Sequence, residues 1–308
     1  MNDVSQIRSG SLYTIGAYVL WGFLPIYWKF LDHVSPGETL AHRSIWSFIF
    51  MFIIVLVTRN WQEFIDEWKA LLHDKRKLIG ISLATIVISL NWLTFIWAVN
   101  SNHVVQASLG YYINPLISIL LGIIVLKEAF TMRQTVSFIL ATIGVLYLTF
   151  SYGTFPWVSL LLATTFGLYG LLKKKLDIKA MIGLTIETML IVPIAIIYVI
   201  MIPDHAFQIN EFFSNTNFLL MGAGVMTAVP LLLFASGAKR ITLGMIGFLQ
   251  YIAPTLMLLI GVFLYDEAFT SAHFIAFLFI WAALINYMLS SFYHPFRNKQ
   301  MSSSKTTS

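Results

Sequence analysis

Cysteine is absent from the 308 residues, which removes disulfide frameworks, thiolate nucleophiles and cysteine metal clusters. Charge is scarce: Asp, Glu, Lys and Arg together make up 11% of the chain, about half or less of the ~25% with which a soluble domain covers itself. The signatures of soluble catalysis are missing too. There is no GxxxxGK[ST] phosphate loop, no HExxH and no GxSxG, and the seven histidines are scattered without metal-ligand spacing. No cofactor is therefore expected, no ATP-driven pump resides in this chain, and an enzyme is not the expected function.

Apolar residues take the place of charge. They make up 58% of the chain, with a mean hydropathy of +0.80, so most of the chain is expected to dissolve in lipid. Continuous apolar runs fall near 10–31, 39–58, 78–100, 104–126, 133–150, 156–172, 180–202, 217–238, 243–264 and 272–291. Because these runs do not alternate, and each helix satisfies its own backbone in lipid, they predict helices and not a barrel. The expected fold is all-α and polytopic, with ten transmembrane helices. The first run is long for a signal peptide and lacks a small-residue cleavage site, so it reads as a retained helix.

The formal charge of +5 would suggest nucleic acid on a soluble face, but the basic residues sit in short gaps between apolar runs. With the N-terminus inside, every Lys and Arg except Lys29 and Arg43 falls on the cytoplasmic side, as the positive-inside rule requires. The expectation is a multi-pass plasma (inner) membrane protein with both termini cytoplasmic and no nucleic-acid partner. The segment 59–77 spaces Trp61, Phe64, Ile65, Trp68 and Leu71 as an amphipathic helix on the membrane surface. The polar tail 296–308 is expected to be disordered.

An internal repeat is visible. Tyr112, Ile113, Pro115, Gly122 and the run Glu128, Ala129, Phe130, Thr131 recur at a constant offset of 139 as Tyr251, Ile252, Pro254, Gly261 and Glu267, Ala268, Phe269, Thr270. The repeat superposes the fourth run on the ninth, so residues 8–150 and 156–292 form two five-helix halves. Five is odd, and the second half then enters the membrane in the opposite sense, an arrangement suited to alternating access.

Polar groups inside apolar runs are the candidate functional residues, since hydrocarbon tolerates them only beside a cavity or a partner. Lys29 and Arg43 flank the first outer loop and read as an anion-attracting pair, or as snorkelling helix ends. His42 is a proton acceptor, or part of a local ion pair over Glu38 to Arg43. Glu187 lies about 10 Å into its helix at 1.5 Å per residue; proton coupling, solute contact and pairing with Lys173 to Lys175 all remain open. Asn91, Gln106, Tyr111, Asn114, Gln250 and Tyr251 read as a central pocket or as interhelical hydrogen bonds, with Trp21, Trp92 and Trp97 as liners or interface anchors. Pro115 and Pro254 open the backbone ladder beside them. Glu128 and Glu267 read as structural or gating groups, each accepting backbone donors at the start of the next helix.

The segments WGFLPIYWKFL, ETLAHRSIWS, NWLTFIWAVNSNHVVQASLGYYINPL with GIIVLKE, and GFLQYIAPTLMLLIGVFLYDE resemble RarD-type permeases of the EamA family in the drug/metabolite transporter superfamily. The likeness spans residues 8 to 292. It implies ten helices in two inverted halves around a central cavity, with cavity roles around Trp21, Lys29, Asn91, Tyr111 and Gln250. The expected function is thus secondary transport of a small polar, zwitterionic or anionic metabolite or drug. Expected partners are that small-molecule solute, membrane lipid and a coupling proton, in a monomer or homodimer. A membrane structural or assembly protein, or an intramembrane lipid-modifying enzyme, is the alternative; Glu187 and His42, the only acid-base candidates for the latter, fall toward opposite faces.

Overall fold

The computed structural model describes the backbone of residues 3–100, 104–151, 153, 155–265 and 269–304, with side chains except at 3, 4, 96, 99, 100, 104–107, 209 and 290–304. The described chain is all-helical: α1 (Asp3–Lys29), α2 (Pro36–Val57), α3 (Trp61–His73), α4 (Lys75–Asn100), α5 (Val104–Val125), α6 (Met132–Ser151), α7 (Trp157–Lys175), α8 (Ala180–Met201), α9 (Asn215–Ala238), α10 (Leu243–Gln250), α11 (Ile252–Leu264) and α12 (Ser271–Ser304). The helical backbone of α12 thus extends past residue 296, where the sequence reading begins an unstructured tail.

Eight spans among the described residues are long and apolar enough to cross a membrane: α2, α4, α5, α6, α8, α9, α10 with α11, and α12. The protein is therefore an all-α polytopic membrane protein. The expected first and sixth spans, α1 and α7, are helical but diluted by Gly, Thr, Tyr and Trp. For α7 its position accounts for this composition. On α7, Ser159, Thr165, Gly167, Tyr169 and Gly170 are buried, and α1 packs on α9 and α11. A helix enclosed by other helices meets less lipid and needs less hydrocarbon on its surface.

Short caps end the helices where the chain must turn. Ser35 accepts from the N–H of Glu38 with Pro36 at the first position of α2, and Ser214 and Thr242 accept from Asn217 and Met245 at the starts of α9 and α10. α3 buries Phe64 and Leu71 in a cluster with Val55, Ile81, Ile178, Ile182 and Ile186, and Glu63 pairs with Lys179 at 2.6 Å.

The principal packing partners lie in opposite halves of the chain. α1 packs on α9 and α11, α2 on α8 and α9, α4 on α7 and α8, α5 on α7 and α10, and α6 on α12. Two ends of the bundle differ in character. One carries α3, the C-terminus of α7 with Lys173 to Lys175, and Lys239 with Arg240, and is called here the lysine-rich end. The other carries the α1–α2 and α8–α9 connections.

Candidate functional site

Arg43 lies seven residues into α2, about 10 Å from the helix start at 1.5 Å per residue. Its guanidinium carbon sits 5.3 Å from the ring centre of Trp28 on α1 and 4.8 Å from that of Trp92 on α4. Its Nε donates to Thr227 Oγ1 on α9 at 3.1 Å, and the Tyr111 hydroxyl on α5 is near enough to feel its charge. Five helices therefore meet at one cation. Two aromatic faces stabilise its charge, yet no carboxylate among the described residues pairs with it. The two terminal nitrogens keep the planar fork that suits a carboxylate or phosphate.

Lys29 does not join this arrangement. It is exposed and pairs with Asp32 at 3.4 Å, because it sits on the last turn of α1, where its long side chain reaches solvent. Trp28, one residue earlier, is the residue of this turn that faces Arg43. His42 turns toward Glu38, its Nε2 3.8 Å from Oε1, and its ring stacks on Phe207 with centres 4.9 Å apart. Both are buried, and neither ring nitrogen of His42 has a hydrogen-bond partner. The local pair is thus Glu38 with His42, while Arg43 points elsewhere around the helix. The Glu38 carboxylate accepts from the backbone N–H of Ala206 at 2.8 Å and Phe207 at 3.2 Å.

Toward the middle of the bundle, α5 carries Tyr111, Asn114 and Ser118 on one face at helical spacing. Tyr111 is 37% exposed. The Ser118 hydroxyl donates to Gln250 Oε1 at 3.2 Å, joining α5 to α10. Asn114 Oδ1 and the Tyr251 hydroxyl are buried without a partner. Asn91 is committed otherwise: its Nδ2 donates to Leu162 O and Thr165 Oγ1, both at 2.8 Å, tying α4 to α7. Trp21 packs among Tyr18, Phe166 and Phe234, with ring centres 5.4 to 5.7 Å away. Pro115 lies within a continuous α5, whereas the chain breaks at Tyr251, just before Pro254, to separate α10 from α11. The side chain of Gln106, and Glu267 altogether, lie outside the described residues. A cleft of about 350 Å³ lined by Leu93, Thr94, Trp97, Trp157 and Leu161 involves none of the buried polar candidates.

At the lysine-rich end, Glu187 accepts from Lys173 Nζ at 2.8 Å and from the Tyr169 hydroxyl at 3.0 Å, with Lys173 and Glu187 both buried. This is the pairing with the preceding helix that the sequence left open. Glu128 accepts from the N–H of Leu243 at 2.7 Å and Gly244 at 2.8 Å, so it caps α10 in the other half and not the next helix. The start of α6 is closed by Thr131 and Gln134, each accepting from the other's backbone N–H. Sequence reasoning missed Trp28, Thr227 and Phe207. Trp28 was visible as an aromatic beside a flagged lysine; Thr227 and Phe207 carry no local signal, since each becomes functional only through a partner more than 160 residues away in the chain.

Comparison with known proteins follows this geometry. Residues 8–150 match the EamA-like transporter family. The uncharacterized transporter YojE of Bacillus subtilis (strain 168) is 46% identical over 288 residues, covering 93% of this chain and 95% of that protein. Protein RarD of Escherichia coli (strain K12) is 41% identical over 292 residues, covering 94% and 97%. A chloramphenicol-sensitive protein RarD of Pseudomonas aeruginosa is 28% identical, covering 90% and 92%. One solved structure, titled only as the crystal structure of a protein, superposes with a TM-score of 0.69 at 17% identity, covering 92% of this chain and 97% of that one; at this identity the likeness concerns the fold.

Proposed function

The chain belongs to the EamA-like transporter family, in its RarD-type group, and from this premise we propose that it moves a small anionic or zwitterionic solute past Arg43 by alternating access. The observation that carries this reading is the guanidinium itself. Inside a membrane helix an arginine normally pairs with a carboxylate or faces a watery path. Arg43 is held by two tryptophan faces and one threonine, which position it without neutralising it. A carboxylate or phosphate on the solute completes the site, and Asn114 with Tyr251 supplies unpartnered polar atoms nearer the middle of the bundle.

Ten spans in two inverted halves, 8–150 and 156–292, fit the packing. Exchanging α1 with α7, α2 with α8, α4 with α9, α5 with α10 and α11, and α6 with α12 converts the pair α1·α11 into α7·α5, α1·α9 into α7·α4, and α2·α9 into α8·α4. It returns α2·α8, α5·α10 and α6·α12 to themselves, and every one of these pairs is present. The lysine-rich end is the cytoplasmic one by the positive-inside rule, with α3 lying along that membrane surface. Solute entry from the opposite end then meets Arg43 first.

Thermal stabilisation of the detergent-purified protein by organic acids, sugar phosphates, nucleotides, amino acids and chloramphenicol tests the reading. A saturable rise in Tm with one anionic or zwitterionic class is expected, abolished in Arg43→Gln and weakened in Arg43→Lys, which keeps the charge but loses the planar fork. Stabilisation by neutral solutes alone, equal in both variants, would refute it. Uptake of the stabilising class into liposomes then measures transport directly.

A further inference from the structure

Two carboxylates in this bundle make the same unusual contact at opposite ends. Glu38, on α2, accepts the backbone N–H groups of Ala206 and Phe207 in the α8–α9 connection. Glu128, three residues past the end of α5, accepts those of Leu243 and Gly244 at the start of α10. Each joins the first half of the chain to the second through two main-chain donors, and among the described residues no other carboxylate does so.

We infer that Glu38 and Glu128 are the latches of the two gates, each closing its own end of the solute path, with one released in every turn of the transport cycle. The inference rests on the alternating-access reading above. In such a cycle the contacts between halves at one end must break while those at the other hold. A contact that serves this purpose needs to be strong when made and to leave no ruined partner when broken. Charge-assisted bonds to backbone N–H meet both needs: they are stronger than neutral ones, and at the ends of the bundle both carboxylate and amides can pass to water on opening.

The surroundings at each end are built for closure. At the lysine-rich end, a Cβ on Gly122 would lie 2.7 Å from Glu128 Oε2 and 3.2 Å from the nitrogen of Gly244, and one on Gly244 would lie 2.5 Å from the Phe130 ring. Gly122 thus lets the start of α10 and the Glu128 carboxylate come close to α5 at the latch, and Gly244 leaves room there for the Phe130 ring. At the other end, Glu38 holds Phe207 down on His42 and near Trp46, whose ring centres lie 4.9 and 6.3 Å from it. Phe207 is therefore the plug of that gate. The ring nitrogens of His42 and Nε1 of Trp46, the two rings it lies against, are buried polar atoms with no partner, which gain water when the plug lifts.

The helices that carry the latches also carry the site. Arg43 lies on α2 five positions after Glu38, and Tyr111 lies on α5, which ends at Val125, three residues before Glu128. A solute held between Arg43 and Tyr111 therefore pulls on both latch-bearing helices, giving binding a mechanical route to each gate.

The absence of native cysteine makes the test direct. Spin labels are placed on cysteines at Asp32 and Phe213 for one end, and at Met132 and Lys175 for the lysine-rich end, all exposed positions, and distances are read by pulsed electron resonance in liposomes. Glu38→Gln removes the charge from the group whose single oxygen Oε1 takes both N–H donors, leaving two neutral bonds in place of charge-assisted ones. It is expected to shift the Asp32 to Phe213 distribution outward by about 5 Å, roughly one helical turn, and to leave the other pair unchanged; Glu128→Gln is expected to do the reverse. Glu38→Asp and Glu128→Asp, which keep the charge but withdraw it by one methylene, should open the same ends to a lesser extent, and they replace a Gln variant that does not fold. Unchanged distances in both variants, or either variant opening both ends, would overturn the latches. No solute enters the measurement, so loss of the anion-dependent Tm shift defeats the functional reading alone, and rigid distances in a protein that still binds its anion defeat the latches alone.

Discussion

Glu187, Lys173 and Tyr169 form a buried triad whose bonds stay within the α7–α8 hairpin. It does not bridge the two halves, so its geometry is that of a structural pair. Removing one partner leaves an uncompensated charge in a low-dielectric setting, which costs about 3–5 kcal/mol. Glu187→Gln is therefore expected to lower the Tm of the detergent-purified protein sharply, and Glu187→Leu with Lys173→Met to recover much of the loss. Lys239 lies just beyond the end of α9, and burial, then the neighbouring Lys173, holds it below the ordinary lysine range against the pull of Asp177 and Glu67. A lysine depressed in the fold has its charged form disfavoured there, so the penalty is full at neutral pH and fades as pH rises through the folded value. Lys239→Gln should accordingly raise Tm at pH 7, with a gain that shrinks on titration upward.

Among elements, the α2–α9 seam sets the geometry of Arg43. The Ser47 hydroxyl donates to Gly224 O at 3.0 Å, and a Cβ on Gly224 would collide with the carbonyl carbon of Trp46 and lie 2.5 Å from the nitrogen of Ser47. The obstacle is backbone, which cannot step aside. Gly224→Ala is expected to destabilise by about 1–3 kcal/mol. It should also weaken the anion-dependent Tm shift, because Thr227 lies one turn further along α9 and is carried away from Arg43. Gly16→Ala provides the control, since its new Cβ meets only Leu233 at 3.5 Å, an ordinary contact. Close approach also explains why α9 is rich in small residues: Ala223, Gly224, Ala228, Ala235 and Gly237 are all buried, Gly224 against α2 and Gly237 against α1, and in lipid close backbone approach replaces the hydrophobic effect as the source of association.

On the scale of the molecule, the halves are interleaved and not side by side, since the main partners of α1, α2, α4, α5 and α6 all come after residue 156. Neither half has the neighbours it needs to cover its polar and small-residue faces alone. Fragments 1–152 and 155–308 expressed together should assemble into a protein with the ligand-dependent Tm of the intact chain, whereas either alone should be degraded or aggregate. Assembly of one fragment without the other, read by size-exclusion chromatography, would contradict interleaving.

Hydropathy and charge placement by themselves determined the solvent, the helical class and nearly every helix, because a bilayer demands a long apolar surface and a self-satisfied backbone from each span. They also singled out Arg43, Asn114, Gln250 and Glu187, since an isolated polar residue stands out in an apolar run. They could not rank α7 as an inner helix, whose lower hydropathy reflects neighbours and not lipid. Nor could they distinguish Asn91, spent on Leu162 and Thr165, from Asn114, whose oxygen is left free, because the difference lies in which helix stands opposite. Glu128 illustrates the limit best: its local sequence pointed to the next helix, and the fold delivered it to α10, 115 residues away. Burial is written along the chain, but partnership across the bundle is decided by packing, and function in this protein depends on partners drawn from both halves.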